Sequence, residues 1–118
     1  MSTLAEALRL YQDGKHEDAA RELRVLVELD RANNQAWMYY GACLGQLGRW
    51  GQAVDAYRQV VHLTPEEASA HCDLAAALIE LRRYDQAEDA VTTALLLEAE
   101  HPVALELRAR LHRLAPRP

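Results

Sequence analysis

The sequence predicts an all-α fold in which helix pairs stack side by side into a solenoid. Three observations carry that expectation. Slid against itself by 34 residues, the chain matches at Leu10, Leu44 and Leu78, at Ala7, Gly41 and Ala75, and at Ala19, Ala53 and Ala87. A fixed period of this length belongs to repeat architectures, where each unit is one supersecondary element that buries its apolar face against the next. Within a unit, apolar residues recur at spacings of three, four and seven, the period of one helix face. The composition agrees: the 118 residues are 50% hydrophobic, with only five glycines and four prolines, and Ala, Leu, Arg and Glu dominate.

The elements follow in order. The first unit, residues 1–33, carries Ala7 and Leu10, then Gly14 and His16, then Ala19, Leu23, Leu26 and Leu29. The second, residues 34–67, is the clearest. Trp37, Tyr40, Gly41 and Leu44 share one helix face, and Gly48 supplies a left-handed residue to close that helix. Ala53, Tyr57, Val60, Val61 and Leu63 mark the second helix of the pair. Small residues at Gly41 and Ala53 let the two helices approach, while Trp37 and Tyr57 fill the flanks. Thr64-Pro65-Glu66-Glu67 reads as an N-cap, a first-turn proline and a capping-box glutamate, which would open the next helix there. The third unit, residues 68–101, repeats the pattern with His71 in the place of Trp37, Arg82 in the place of Gly48 and Tyr84 in the place of Trp50. A left-handed Arg82 costs on the order of 1 kcal/mol, so its turn is expected to relax. One further helix, 102–115, offers Val103, Leu107, Leu111 and Leu114 as an apolar stripe, with Arg108, Arg110, Arg113 and Arg117 on its polar side. It reads as a solvating cap ended by Pro116.

Charge and composition exclude several classes of function. Thirteen Lys and Arg against 18 Asp and Glu give a net charge of -5, without the basic footprint that a phosphate backbone needs. Met1-Ser2-Thr3-Leu4-Ala5-Glu6 has no basic start and no apolar run follows, so neither a signal peptide nor a membrane span is expected. Two cysteines, Cys43 and Cys72, make no disulfide framework, and the cytoplasm is the expected compartment. No CxxC, HExxH, GxSxG or GxxxxGK pattern occurs, so no catalytic activity, metal or other cofactor is expected. His16 and His71 sit at packing positions. The third unit holds seven acidic residues against two basic, which reads first as a solvated face.

Residues 34–67 closely resemble a tetratricopeptide repeat, with Trp37, Tyr40, Gly41, Leu44, Gly48, Trp50, Ala53, Tyr57, Val60 and Pro65 at the family's signature places. The flanking units match less fully. The resemblance implies one domain of three repeats plus a capping helix, seven helices in a right-handed superhelix. It also implies a concave groove, lined by the first helix of each pair, that binds a peptide or protein segment. The groove positions fall on Leu4, Leu8 and Tyr11; on Gln35, Met38, Tyr39, Ala42 and Gln46; on Cys72, Asp73, Ala76, Ile79 and Glu80; and on Arg110. Leu4, Leu8, Met38, Cys72 and Ile79 would take apolar anchors. Repeat arrays that grip acidic chaperone tails resemble one another in a clamp of Lys, Asn and Arg side chains. Here those places hold Leu4, Leu8, Tyr39, Ser69 and Asp73, so that mode fails. An adaptor that binds a partner segment is the first expectation. The stretch Tyr40-Gly41-Ala42-Cys43-Leu44-Gly45-Gln46-Leu47-Gly48-Arg49-Trp50 is also similar to dedicated chaperones of bacterial secretion systems, the second expectation. Self-association into a homo-oligomer stays open.

Overall fold

The computed structural model describes residues 3–116. Met1, Ser2 and Arg117, which figured in the reading of the two ends, lie outside the described residues, as does Pro118. Seven helices follow in order: α1 (Leu4–Gln12), α2 (His16–Leu29), α3 (Asn34–Gln46), α4 (Trp50–Leu63), α5 (Ala68–Glu80), α6 (Tyr84–Leu97) and α7 (Pro102–Leu114). No strand occurs among the described residues. Each helix packs on its neighbour in sequence, and α7 lies against both α5 and α6. The result is an elongated body of 53 × 26 × 20 Å. Two apolar clusters fill it, one centred on Ala7, Ala19, Leu23 and Cys43, the other running from Leu44 through Leu78 and Val91 to Leu111.

The tight turn inside each pair is built the same way three times. The backbone N–H of Lys15, Arg49 and Arg83 donates to the carbonyl of Leu10, Leu44 and Leu78, at 2.9, 2.8 and 2.9 Å. That bond needs one left-handed residue. Gly14 (φ 79°) and Gly48 (φ 75°) supply it freely, and Arg82 is held there at φ 59°. The expected relaxation of this turn does not occur, because it would forfeit the bond from Arg83 to Leu78. Arg82→Gly should therefore stabilise the fold by about 0.5–1 kcal/mol, the left-handed cost less the extra entropy of an unfolded glycine. Urea unfolding measures it; a neutral or destabilising result would show that Arg82 makes up the difference through its side chain.

The turns between repeats correct a second expectation. Thr64 ends α4 rather than opening α5, and its Oγ1 donates to the Val60 carbonyl at 2.8 Å. The next helix starts only at Ala68, with Glu67 as its N-cap and no side-chain capping bond. Pro65 lies in the connecting turn, and a ring nitrogen takes hold of its carbonyl: His71 Nε2 lies 2.9 Å from Pro65 O. In the repeat before, Trp37 Nε1 donates to Arg31 O at 2.9 Å. Histidine thus replaces tryptophan one repeat later and still clasps the carbonyl six residues upstream. Asn33 and His101 do cap their helices, accepting from Ala36 N–H at 3.1 Å and from Ala104 N–H at 3.3 Å. On α7 the buried stripe is Ala104, Leu107 and Leu111. Val103 and Leu114, expected in it, are 47% and 45% exposed because they fall on either flank of that stripe.

Candidate functional site

At the two ends of the stack first helices meet directly, α1 touching α3 and α5 touching α7, and no pair of second helices packs to the same extent. The first helices therefore line the inner side of the curve. Most of the expected groove residues lie there with surface to offer. Leu4, Leu8, Tyr11, Met38, Tyr39, Ala42, Asp73, Ala76 and Arg110 are part-exposed, and Gln35, Gln46 and Glu80 are exposed. The Tyr11 and Tyr39 rings meet edge to face at 6.0 Å across the first repeat junction. Leu4 also packs on the N-terminal apolar cluster. Glu80 and Arg110 pair at 3.4 Å and tie α5 to α7.

Two residues depart from expectation. Cys72 and Ile79 are only 2% and 3% exposed, so neither offers an anchor point to a partner. Cys72 packs beneath His101, with Sγ 3.9 Å from its Nδ1, and burial pushes the thiol up to about 11. Cys43 is likewise buried and pushed up to about 11. Both are core fillers.

The structure brings Ala42, Gln46, Asp73 and Ala76 together around a hollow of about 200 Å³ between α3 and α5. Gly45, Trp50, Tyr57 and Ala77 complete its wall. Trp50 and Tyr57 come from the second helix of the pair and reach this side only because α3 carries glycine twice, one turn apart. A Cβ on Gly41 would stand 2.8 Å from the Tyr57 ring, and one on Gly45 would stand 2.8 Å from the Trp50 ring. The aromatic wall was missing from the expected site, although Gly45, a second small residue one turn after Gly41, was the available signal.

The electrostatics of the hollow centre on Asp73. Burial raises its carboxyl from the ordinary range to about 6, partly offset by His101. Among the described residues no group hydrogen-bonds or ion-pairs with it. The Tyr57 hydroxyl is also shifted upward, by burial first and then by the Asp73 charge. His101 is committed elsewhere: its Nδ1 caps α7 by accepting from Ala104 N–H at 3.3 Å, and its Nε2 lies 3.1 Å from Ser69 Oγ. Two larger hollows, about 300 and 420 Å³, open between first and second helices on the other side of the stack. Their arginines already have partners in the chain: Arg21 with Asp18, Arg24 with Glu28, Arg49 with Glu17 and Arg58 with Gln86.

Two models described as tetratricopeptide repeat match residues 4–68 and 46–111. The chain belongs to the tetratricopeptide repeat family. Among relatives of this repeat protein, low calcium response locus protein H of Yersinia pseudotuberculosis is 28% identical over 105 residues, 89% of this chain. The chain spans 62% of that relative's length. PcrH, solved with the chaperone binding region of PopD, is 28% identical with a TM-score of 0.76, covering 93% of this chain and 83% of that one. The Yersinia enterocolitica type III secretion chaperone SycD, solved with a peptide of the translocator YopD, is 26% identical with a TM-score of 0.79, covering 93% and 84%. No helix of the described residues is long and apolar enough to cross a membrane.

Proposed function

We propose that this tetratricopeptide repeat chain is a non-enzymatic binding module that holds a segment of another protein along its first-helix groove. The observation that carries the reading is the hollow between α3 and α5, with aromatic and alanine walls and an unpaired carboxylate. Its volume of about 200 Å³ is below the roughly 300–1,000 Å³ of small-molecule sites, yet it has room for a side chain of a bound segment. The likeness to PcrH and SycD favours a more specific form, a chaperone for a translocator-like secreted protein.

The test is a titration of fluorescein-labelled peptide from the chaperone binding region of PopD. Ala42→Arg should weaken binding at least tenfold, because the new side chain fills the hollow while arginine suits the helix. Gln59→Arg, on the exposed face of α4, should leave affinity unchanged. Equal affinities for both variants would move the site out of the groove. A wild-type chain that ignores the peptide would remove the secretion-chaperone form of the proposal.

A further inference from the structure

We propose that the hollow between α3 and α5 takes a lysine or arginine side chain of the bound segment, and that Asp73 is the residue that selects it. This rests on the groove reading above and narrows it from an apolar segment to an apolar segment with one basic residue.

Ala42, Ala76 and Ala77 give the hollow short apolar walls, and the Trp50 and Tyr57 rings close one side. Asp73 therefore stands in a poorly hydrated place, which its raised pKa of about 6 reflects. The ionisable groups that bear on it are Tyr57 from α4, Cys72 from α5, and His101 at the start of α7. Tyrosine and thiol are both shifted toward their neutral forms. His101 has one nitrogen capping α7 and the other on Ser69. Arg110, a basic residue of α7 at the groove, is held by Glu80. The chain itself thus supplies no hydrogen-bonded cation to Asp73.

A partner can supply one. A purely apolar anchor would cover the carboxylate and strip it of its remaining water, at the cost of burying an unpaired charge. A basic side chain lays its methylene stem along the alanines, sets its charge near aromatic faces, and ends on the carboxylate. Asp73 thus acts in two directions, attracting a basic residue and rejecting an apolar one of the same length. The net charge of -5 favours the same class of segment at longer range.

A phage-displayed random dodecapeptide library, selected on immobilised protein, decides the matter. Wild type should enrich peptides with apolar residues flanking one Lys or Arg. Asp73→Asn, nearly isosteric and checked for folding by circular dichroism, should keep the apolar positions and lose the basic one. Asp73→Lys should select Asp or Glu there instead. A peptide enriched on wild type should bind it at least tenfold more tightly than its norleucine analogue, and the difference should vanish in Asp73→Asn. An apolar or neutral-polar consensus that is the same for wild type and Asp73→Asn overturns the inference. If Ala42→Arg still abolishes that selection, the groove reading survives. Enrichment untouched by Ala42→Arg, or none on wild type, overturns the groove reading and this inference with it.

Discussion

Deleting residues 102–118, and α7 with them, should abolish the cooperative thermal transition and leave a chain that aggregates. The helix buries Ala104, Leu107 and Leu111 against α5 and α6 together. Each fully buried leucine contributes roughly 1.5–3 kcal/mol, and the α5 and α6 side chains they cover would be uncovered at the same time. A domain holds only about 0.05–0.15 kcal/mol per residue of net stability, so such a loss takes most of it. The Glu80–Arg110 pair contributes little, since both partners are near 40% exposed. Differential scanning calorimetry and size-exclusion chromatography test this. Val103→Ser and Leu114→Ser serve as controls that should unfold like wild type, because both residues are already near half-exposed. A shortened chain that stays monomeric with an unchanged melting temperature would show that the packing of α7 is incidental.

The fold was legible wherever the 34-residue register speaks and illegible where local signals compete with it. Gly41, Ala53 and Leu44 announce the pairing of α3 and α4, and the structure buries all three. Thr64-Pro65-Glu66-Glu67 is a persuasive helix start taken alone, yet the helix begins after it. Pro65 stands in register with Arg31 and Ala99, and each repeat needs a turn at that point, so the repeat overrode the local motif. Arg82 shows the same hierarchy at a single residue. Its own preference is against the left-handed region, but the Arg83–Leu78 bond that the turn shares with its two equivalents holds it there.

The candidate site was legible in outline for the same reason, since register alone puts Ala42 and Ala76 on one side of the stack. Register could not say which equivalent positions stay open. Met38 and Cys72 coincide in the repeat, as do Gly45 and Ile79, but the members on α3 keep some exposure while those on α5 are covered. The difference is the neighbour: α7 lies against α5, with His101 seated over Cys72. Nor could it show that Trp50 and Tyr57 pass through to the inner side, which depends on the close approach at Gly41 and Gly45. The unpaired state of Asp73 is a three-dimensional fact of the same kind. In the sequence it is one acidic residue among seven in its repeat.

That unpaired state has a consequence for stability that can be measured without any partner. Asp73→Asn should stabilise the chain at neutral pH by about 1–2 kcal/mol and have little effect near pH 4. Burial raises the Asp73 carboxyl to about 6 against 3.8 for the free group. A shift of one unit corresponds to about 1.4 kcal/mol between the protonation states, and the remaining solvent at this part-exposed position reduces the full figure. The sign follows from proton uptake. Between these two values the folded chain binds the proton more tightly than the unfolded chain, so this group's stabilising contribution is complete below about pH 4. It is lost as the pH rises through about 6. Wild type should therefore lose stability across that window relative to Asp73→Asn, and the two urea midpoints should separate as the pH climbs. Coincident midpoints at every pH would mean that water or His101 already satisfies the charge. A separation that closes when a lysine-bearing peptide is added would tie the strain at Asp73 to the ligand it awaits, because binding to the wild-type fold then returns what the buried carboxylate costs.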